Sequence, residues 1–167
     1  MKRTFTIFIL TLLVISEVMS QNYKQAAGLR LGGSGGITYR RLLGSDAAGE
    51  IMLLGQNHGT ALVFLFEKQK PAVLFDDLNL NFIYGAGAHI GGADKSYDYH
   101  DPYDHTNYRN GYNTIQLGFD GFASFEYLVP RYPVALSLEC KPYFEFFDNQ
   151  NLGIHLFVIA FGARYTF

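Results

Sequence analysis

Two histidines and four aspartates crowd one stretch of this 167-residue chain. Within Asp94-Lys95-Ser96-Tyr97-Asp98-Tyr99-His100-Asp101-Pro102-Tyr103-Asp104-His105, the side chains of His100, Asp101, Asp104 and His105 are of types that ligate metal. Their spacing matches no zinc pattern of fixed geometry, so no metal is assigned. The same stretch is rich in Tyr, whose rigid amphipathic ring suits a contact surface, and segment 92–111 is a candidate for binding a partner. His89 and Ser96 are the other residues of catalytic type nearby. Nucleophilic catalysis needs a nucleophile and a base within reach of one another, and the spacing of these two is no motif. The expectation is no enzyme and no cofactor.

Most of the remaining charges recur at alternate positions. Between Ile115 and Tyr127, the odd positions carry Ile115, Leu117, Phe119, Gly121, Ala123, Phe125 and Tyr127. The even ones carry Gln116, Gly118, Asp120, Phe122, Ser124 and Glu126. Further on, Val134, Leu136, Leu138, Cys140 and Phe144 alternate with Ser137, Glu139, Lys141, Tyr143 and Glu145. Charges confined to one face and an apolar opposite face are what period-2 strands of a membrane barrel require. The stretch 78–91 alternates likewise, with Leu80, Phe82, Tyr84 and Ile90 on one face and Asn81, Gly85 and His89 on the other. A soluble ligand-binding barrel should show the reverse arrangement.

The elements that must carry these faces are all strands. The chain opens Met1-Lys2-Arg3, runs apolar from Phe5 to Ile15, and continues Glu17-Val18-Met19-Ser20-Gln21. A basic start, an apolar run of about 7–15 residues and small residues at a cut site make a secretory signal peptide, expected as 1–20. That run is short of the roughly 20 residues a membrane helix needs. The mature part, 21–167, then holds 11 basic and 14 acidic residues, which argues against nucleic acid as a partner. The single Cys140 excludes an internal disulfide framework. With 18 Gly, 12 Tyr and 15 Phe and no later apolar run of helical length, any membrane crossing must be made by strands.

Eight strands are expected, near 25–33, 36–43, 49–56, 60–69, 78–91, 112–128, 134–147 and 154–167. The fold class is all-β: a transmembrane antiparallel up-and-down β-barrel. Each strand approaches or exceeds the ~9–11 residues of a tilted membrane strand. Gly32-Gly33-Ser34-Gly35-Gly36 reads either as a hairpin turn or as a flexible kink within one strand, and the even strand count of bacterial barrels favours the hairpin. With both termini periplasmic, the long segment 92–111 falls outside, where long loops are expected. Pro142 cannot donate to a ladder, and Cys140-Lys141-Pro142 is expected to be a bulge.

An eight-stranded lumen is just wide enough for side chains to fill it. The inward charges Arg30, Arg40, Lys141 and Arg164, with Glu50, Glu67, Asp120, Glu126, Glu139 and Glu145, are therefore expected to pair as a structural plug, because isolated buried charges are very costly. A narrow porin-like channel and a lipid-modifying enzyme are the alternatives.

Phe167, Tyr165, Ala163, Phe161, Ile159 and Phe157 alternate back from the C-terminus. This resembles the terminal strand of outer-membrane barrels, in which a final aromatic and alternating apolar residues are recognised by the barrel assembly machinery. Gly28-Leu29-Arg30-Leu31-Gly32, Gly36-Ile37-Thr38-Tyr39-Arg40, Tyr84 through Gly91, Gly121 through Tyr127 and Pro133 through Pro142 resemble blocks of small bacterial outer-membrane barrel proteins that carry no assigned activity. The form also resembles the OmpA and OmpX type of eight-stranded barrel. Cys140 stands where a larger aromatic is expected. The resemblance implies a cell outer-membrane location, outer-membrane lipid as surroundings, Phe167, Tyr165 and Phe161 as assembly signal, and no catalytic residues.

Overall fold

A computed structural model describes residues 23–56, 59–72, 79–100, 107–147 and 152–167, the side chains of 56, 93–100, 107–114, 147 and 152 excepted. The expected leader 1–20, together with Asp101, Asp104 and His105, lies outside the described residues. Among the described residues the chain is all strand and turn. The segments are β1 (Gln25–Gly32), β2 (Gly35–Leu42), β3 (Ala47–Gln56), β4 (Gly59–Pro71), β5 (Leu80–His100), β6 (Asn107–Leu128), β7 (Val134–Cys140), β8 (Tyr143–Phe147), β9 (Leu152–His155) and β10 (Ile159–Thr166). Alternating β-branched, aromatic and small residues favour a pleated, half-buried surface, and every pairing is antiparallel.

β7 and β8 run in succession along β6, and β9 and β10 run along β8 and β7, so ten segments make eight staves. β1 pairs with β10 from Ala26↔Thr166 to Gly32↔Ala160, which closes the sheet. The result is an eight-stranded up-and-down barrel. The glycine-rich segment is a hairpin: β1 and β2 pair as far as Arg30↔Gly36. Gly32 has φ +149°, and a Cβ there would lie 2.5 Å from the Ile159 carbonyl oxygen, so the turn requires glycine.

Two expectations need correction. Segment 92–111 is not one long loop. β5 and β6 stay paired to His100↔Asn107, whereas β4 leaves β5 at Gly59↔Ala93 and β8 leaves β6 at Gln116↔Phe147. Residues 94–100 and 107–115 therefore form a two-stranded ribbon beyond the wall. A ribbon that encloses no lumen needs no inward and outward face, so its sequence carries no period to read.

The second correction concerns the bulge. β6 keeps one register across the proline, from Ala123↔Cys140 to Asp120↔Tyr143. The next stave does not. Cys140 pairs with Ile159 and Tyr143 with His155, so three steps on one side face four on the other. The extra residue lies in Leu156–Phe157–Val158, where Phe157 is 82 % exposed, and not at Pro142. Pro142 is accommodated differently. Its carbonyl accepts the Gly121 N–H at 2.8 Å, and a Cβ on Gly121 would lie 3.1 Å from the proline Cγ. The proline costs one ladder bond and displaces no neighbour.

The register sets a test. Deleting Phe157 removes the surplus residue and leaves both flanking registers intact, so the folded yield should stay near that of the parent chain. Deleting Pro142 should reverse the facing of β8 and turn Glu145 out of the interior, with a severe loss. Yield of the folded, heat-modifiable gel band measures both; equal losses would place the bulge elsewhere.

Candidate functional site in the barrel lumen

Alternation decides which side chains enter the lumen, and the register decides which of them meet. Arg30, Arg40, Glu67, Glu126 and Lys141 are wholly buried, and Glu50, Asp120, Glu139, Glu145 and Arg164 nearly so. All four cations have carboxylate partners.

Near the end that carries both chain termini, Arg40 of β2 lies 2.9 Å from Glu67 of β4 and 3.2 Å from Glu126 of β6. Tyr23, just before β1, donates its hydroxyl proton to Glu126 at 2.7 Å and accepts from Arg40 at 2.8 Å. Burial, and then the Glu126 carboxylate, push the Tyr23 phenol far above its usual range, so it stays an O–H donor. Tyr23 sits outside every strand, and no periodicity could have found it.

At mid-height, Arg164 of β10 spans the barrel. Its Nη2 donates to Glu50 of β3 at 2.8 Å and to Glu139 of β7 at 2.7 Å. Its Nε reaches Thr38 at 3.2 Å and its Nη1 reaches Ser137 at 3.0 Å. Arg30 donates from Nε to the other oxygen of Glu139 at 2.8 Å, and from Nη1 to the Ser34 carbonyl at 2.7 Å. Such fork geometry favours Arg over Lys.

Toward the opposite end, Asp120 takes the ammonium of Lys141 on one oxygen and His89 Nδ1 on the other, the latter at 2.9 Å. His89 Nε2 faces Glu145 at 3.7 Å. The ring meets Tyr143 edge-on at 5.6 Å, and Tyr143 stacks on His155 at 4.6 Å. His89 lies flat against Gly118, where a Cβ would come within 2.4 Å of its Cε1. The side chain of Ser96, on the outlying part of β5, is not described. Among the described residues, no three His, Cys, Asp or Glu side chains group to hold a metal ion.

Much of the remaining lumen is apolar. Met52, Leu54, Val63, Leu65, Ile83 and Phe122 form one buried cluster on β3 to β6. Sequence alternation gives little sign of it, because 51–54 and 61–66 are apolar on both faces and parity is marked only beyond them, inward by Glu50 and Glu67 and outward by Lys68 and Lys70.

Of the terminal aromatics, Phe161 is 67 % exposed, Phe167 is exposed and Tyr165 half-buried. Tyr165 and Phe167 have ring centroids 6.1 Å apart. Phe167 also ties the last strand to the start of β1. Its carbonyl accepts from Lys24 N at 3.2 Å and Gln25 N at 2.9 Å, and its own N–H donates to Gln25 at 2.8 Å.

The molecule belongs, by architecture, to the closed eight-stave antiparallel barrels with charged interiors. No protein-family model matches the chain, and no curated protein matches its sequence.

Removing one member of a buried ion pair typically costs about 3–5 kcal/mol, because it strands the other charge. Arg164→Ala should therefore lower the unfolding midpoint severely, while Arg131→Ala, on an exposed turn, should cost less than about 0.5 kcal/mol. Urea titration of the refolded protein compares them. A near-neutral Arg164→Ala would mean that Glu50 and Glu139 are not held by it.

Proposed function

We propose that the chain is an exported structural or interaction-type barrel of a bacterial outer membrane, with a lumen plugged by its own side chains and the β5–β6 ribbon at the cell surface. One observation carries this reading. The outward rows of all eight staves are apolar, including Leu31 and Ile115, each 68 % exposed, with Phe64, Phe119, Leu138 and Phe161. Among the described side chains, no charge interrupts these rows until their ends near the chain termini. A continuous exposed apolar surface of this kind is an aggregation hazard in water and the ordinary exterior of a protein in lipid.

The closed sheet supports the same reading. In hydrocarbon every backbone N–H and C=O must be satisfied internally, and a closed barrel does this without edges. The resemblance to small OmpA- and OmpX-type barrels agrees with it, as does the basic, then apolar, N-terminal leader. On this reading, outer-membrane lipid surrounds the staves, the assembly machinery recognises Phe167, Tyr165 and Phe161, and segment 92–111 is available to an extracellular partner. The plug of Arg30, Arg40, Lys141 and Arg164 with their carboxylates leaves the barrel a structural rather than a conducting role.

The protein should fractionate with the outer membrane and run faster on gels before boiling than after. Recovery as a folded soluble periplasmic species would sink the membrane reading. In planar bilayers it should give no steady single-channel conductance, and a large stable one would exclude the plug.

Deleting Phe167 removes three backbone hydrogen bonds at the closing seam, whereas deleting 99–103 leaves that seam untouched. Outer-membrane yield should fall much further for the first deletion. Equal yields would refute the assembly role of the last residue.

A further inference from the structure

Among the described side chains, the charges on the outside of the staves are confined to one end. Lys24, Arg41, Lys68, Lys70 and Arg131 are exposed, and none of the five forms an ion pair among the described residues. Asp46 is the exposed acid described at the same end. Adding Asp76 and Asp77 from the sequence of the β4–β5 connection, and the Phe167 α-carboxylate, still leaves five basic groups against four acidic. Lys24 precedes β1, Arg41 lies at the end of β2, Lys68 and Lys70 at the end of β4, and Arg131 in the turn after β6. The basic groups are thus spread around the rim that carries both termini.

Their height is set by the strands themselves. Phe64, Phe66, Lys68 and Lys70 follow one another on the outward row of β4, as Ile37, Tyr39 and Arg41 do on β2. A step of two residues along a strand is roughly 7 Å. Lys68 and Arg41 therefore sit one step beyond Phe66 and Tyr39, and Lys70 two steps beyond Phe66, where the stems can lie on the belt and the heads reach out. Aromatic rings occupy the same level: Lys70 Nζ lies 5.8 Å from the Tyr84 ring centroid, and Phe82 packs on Tyr84 and Phe125 at 5.9 and 5.1 Å. The Arg131 turn is fixed by Val129 N–H to Val134 O at 2.9 Å and Tyr132 N–H to Val129 O at 3.2 Å.

We infer that this rim is a collar for anionic phospholipid headgroups, which anchors the terminal end of the barrel in a phospholipid leaflet. The inference rests on the membrane reading above. Its chemistry is distinct from that of the belt: cations in net excess next to a hydrocarbon-facing row match an anionic headgroup joined to acyl chains. Free phosphate would satisfy the cations and leave the adjoining rings unused.

The test uses the full chain refolded into vesicles of phosphatidylcholine alone or with phosphatidylglycerol, and reads the relative association constant of the two lipids. At low salt each basic residue near an anionic surface shifts the preference roughly fivefold. The protein should prefer phosphatidylglycerol by tenfold or more. A variant carrying Lys68→Gln, Lys70→Gln and Arg131→Gln should lose most of that preference, and Lys95→Gln, in the ribbon at the other end, should keep it. High salt should weaken the preference in the parent chain, since the Debye length shrinks to about 3 Å at 1 M. Entry into both vesicles with no lipid preference overturns the collar and leaves the membrane reading standing. An equal loss from Lys95→Gln, or competition by inorganic phosphate at matched ionic strength, also overturns it. Failure to enter either vesicle overturns the membrane reading itself.

Discussion

Closure of the sheet between β1 and β10 is the constraint on which the rest of the structure depends. It removes the two edges that a curled eight-stave sheet would otherwise expose, and it is made by residues at opposite ends of the chain. Closure also defines an inside. Arg164 meets Thr38 and Glu50 because β10 is held against β1, which in turn holds β2 and β3. Gly28 permits this approach: a Cβ there would lie 2.1 Å from the Ala163 carbonyl oxygen and 2.6 Å from the Arg164 Cα. The seam and the ion network therefore form together.

An interior so narrow turns the usual distribution of residues inside out. Apolar side chains pack in many arrangements of similar energy, so specificity must come from groups that have one satisfactory arrangement. Buried pairs serve that purpose at a high desolvation cost, which is met only when both partners and their hydrogen bonds are in place. Glu139 illustrates the requirement. Each of its oxygens accepts from a different arginine, and Ser137 donates to one of them at 2.8 Å. A misregistered strand would leave at least one of these groups alone. The apolar cluster on β3 to β6 has no such discrimination and fills the remaining space.

Much of the fold could be read from the sequence, for a physical reason. Where one face is wholly apolar and the other carries charge, as in 115–127 and 134–145, alternation fixes both the element and its facing. The even strand count then resolves the glycine-rich segment into a hairpin. Reading failed where no face is distinguished. The β5–β6 ribbon lies beyond the wall, and its polar composition resembles a loop. The bulge was assigned to Pro142 because proline is the visible anomaly, yet nothing in Leu156-Phe157-Val158 announces an extra residue when all three are apolar. In the lumen, alternation indicates which side a residue faces and leaves its partner open. That Arg164 meets Glu50 and Arg40 meets Glu67 depends on accumulated register around the barrel, a non-local quantity.

The long side chains in the lumen explain why glycine recurs on its walls. Arg, Lys and Glu reach far into a space that eight staves barely provide, so the positions they cross must be empty. A Cβ at Gly162 would lie 2.2 Å from Ser137 Oγ and 2.6 Å from Glu139 Oε1. At Gly85 it would meet the Phe66 carbonyl oxygen at 2.3 Å as well as the Glu67 Cγ at 3.1 Å, and at Gly118 the Phe144 carbonyl oxygen at 2.1 Å as well as His89 Cε1 at 2.4 Å, so the close neighbouring strand and the side chain both exclude it. Glycine weakens a strand by conformational entropy, and three such losses on inward positions need an offset. Each of the three admits a side chain that is itself paired: Glu139 with Arg30 and Arg164, Glu67 with Arg40, His89 with Asp120. Glycine and charge are thus two halves of one packing solution.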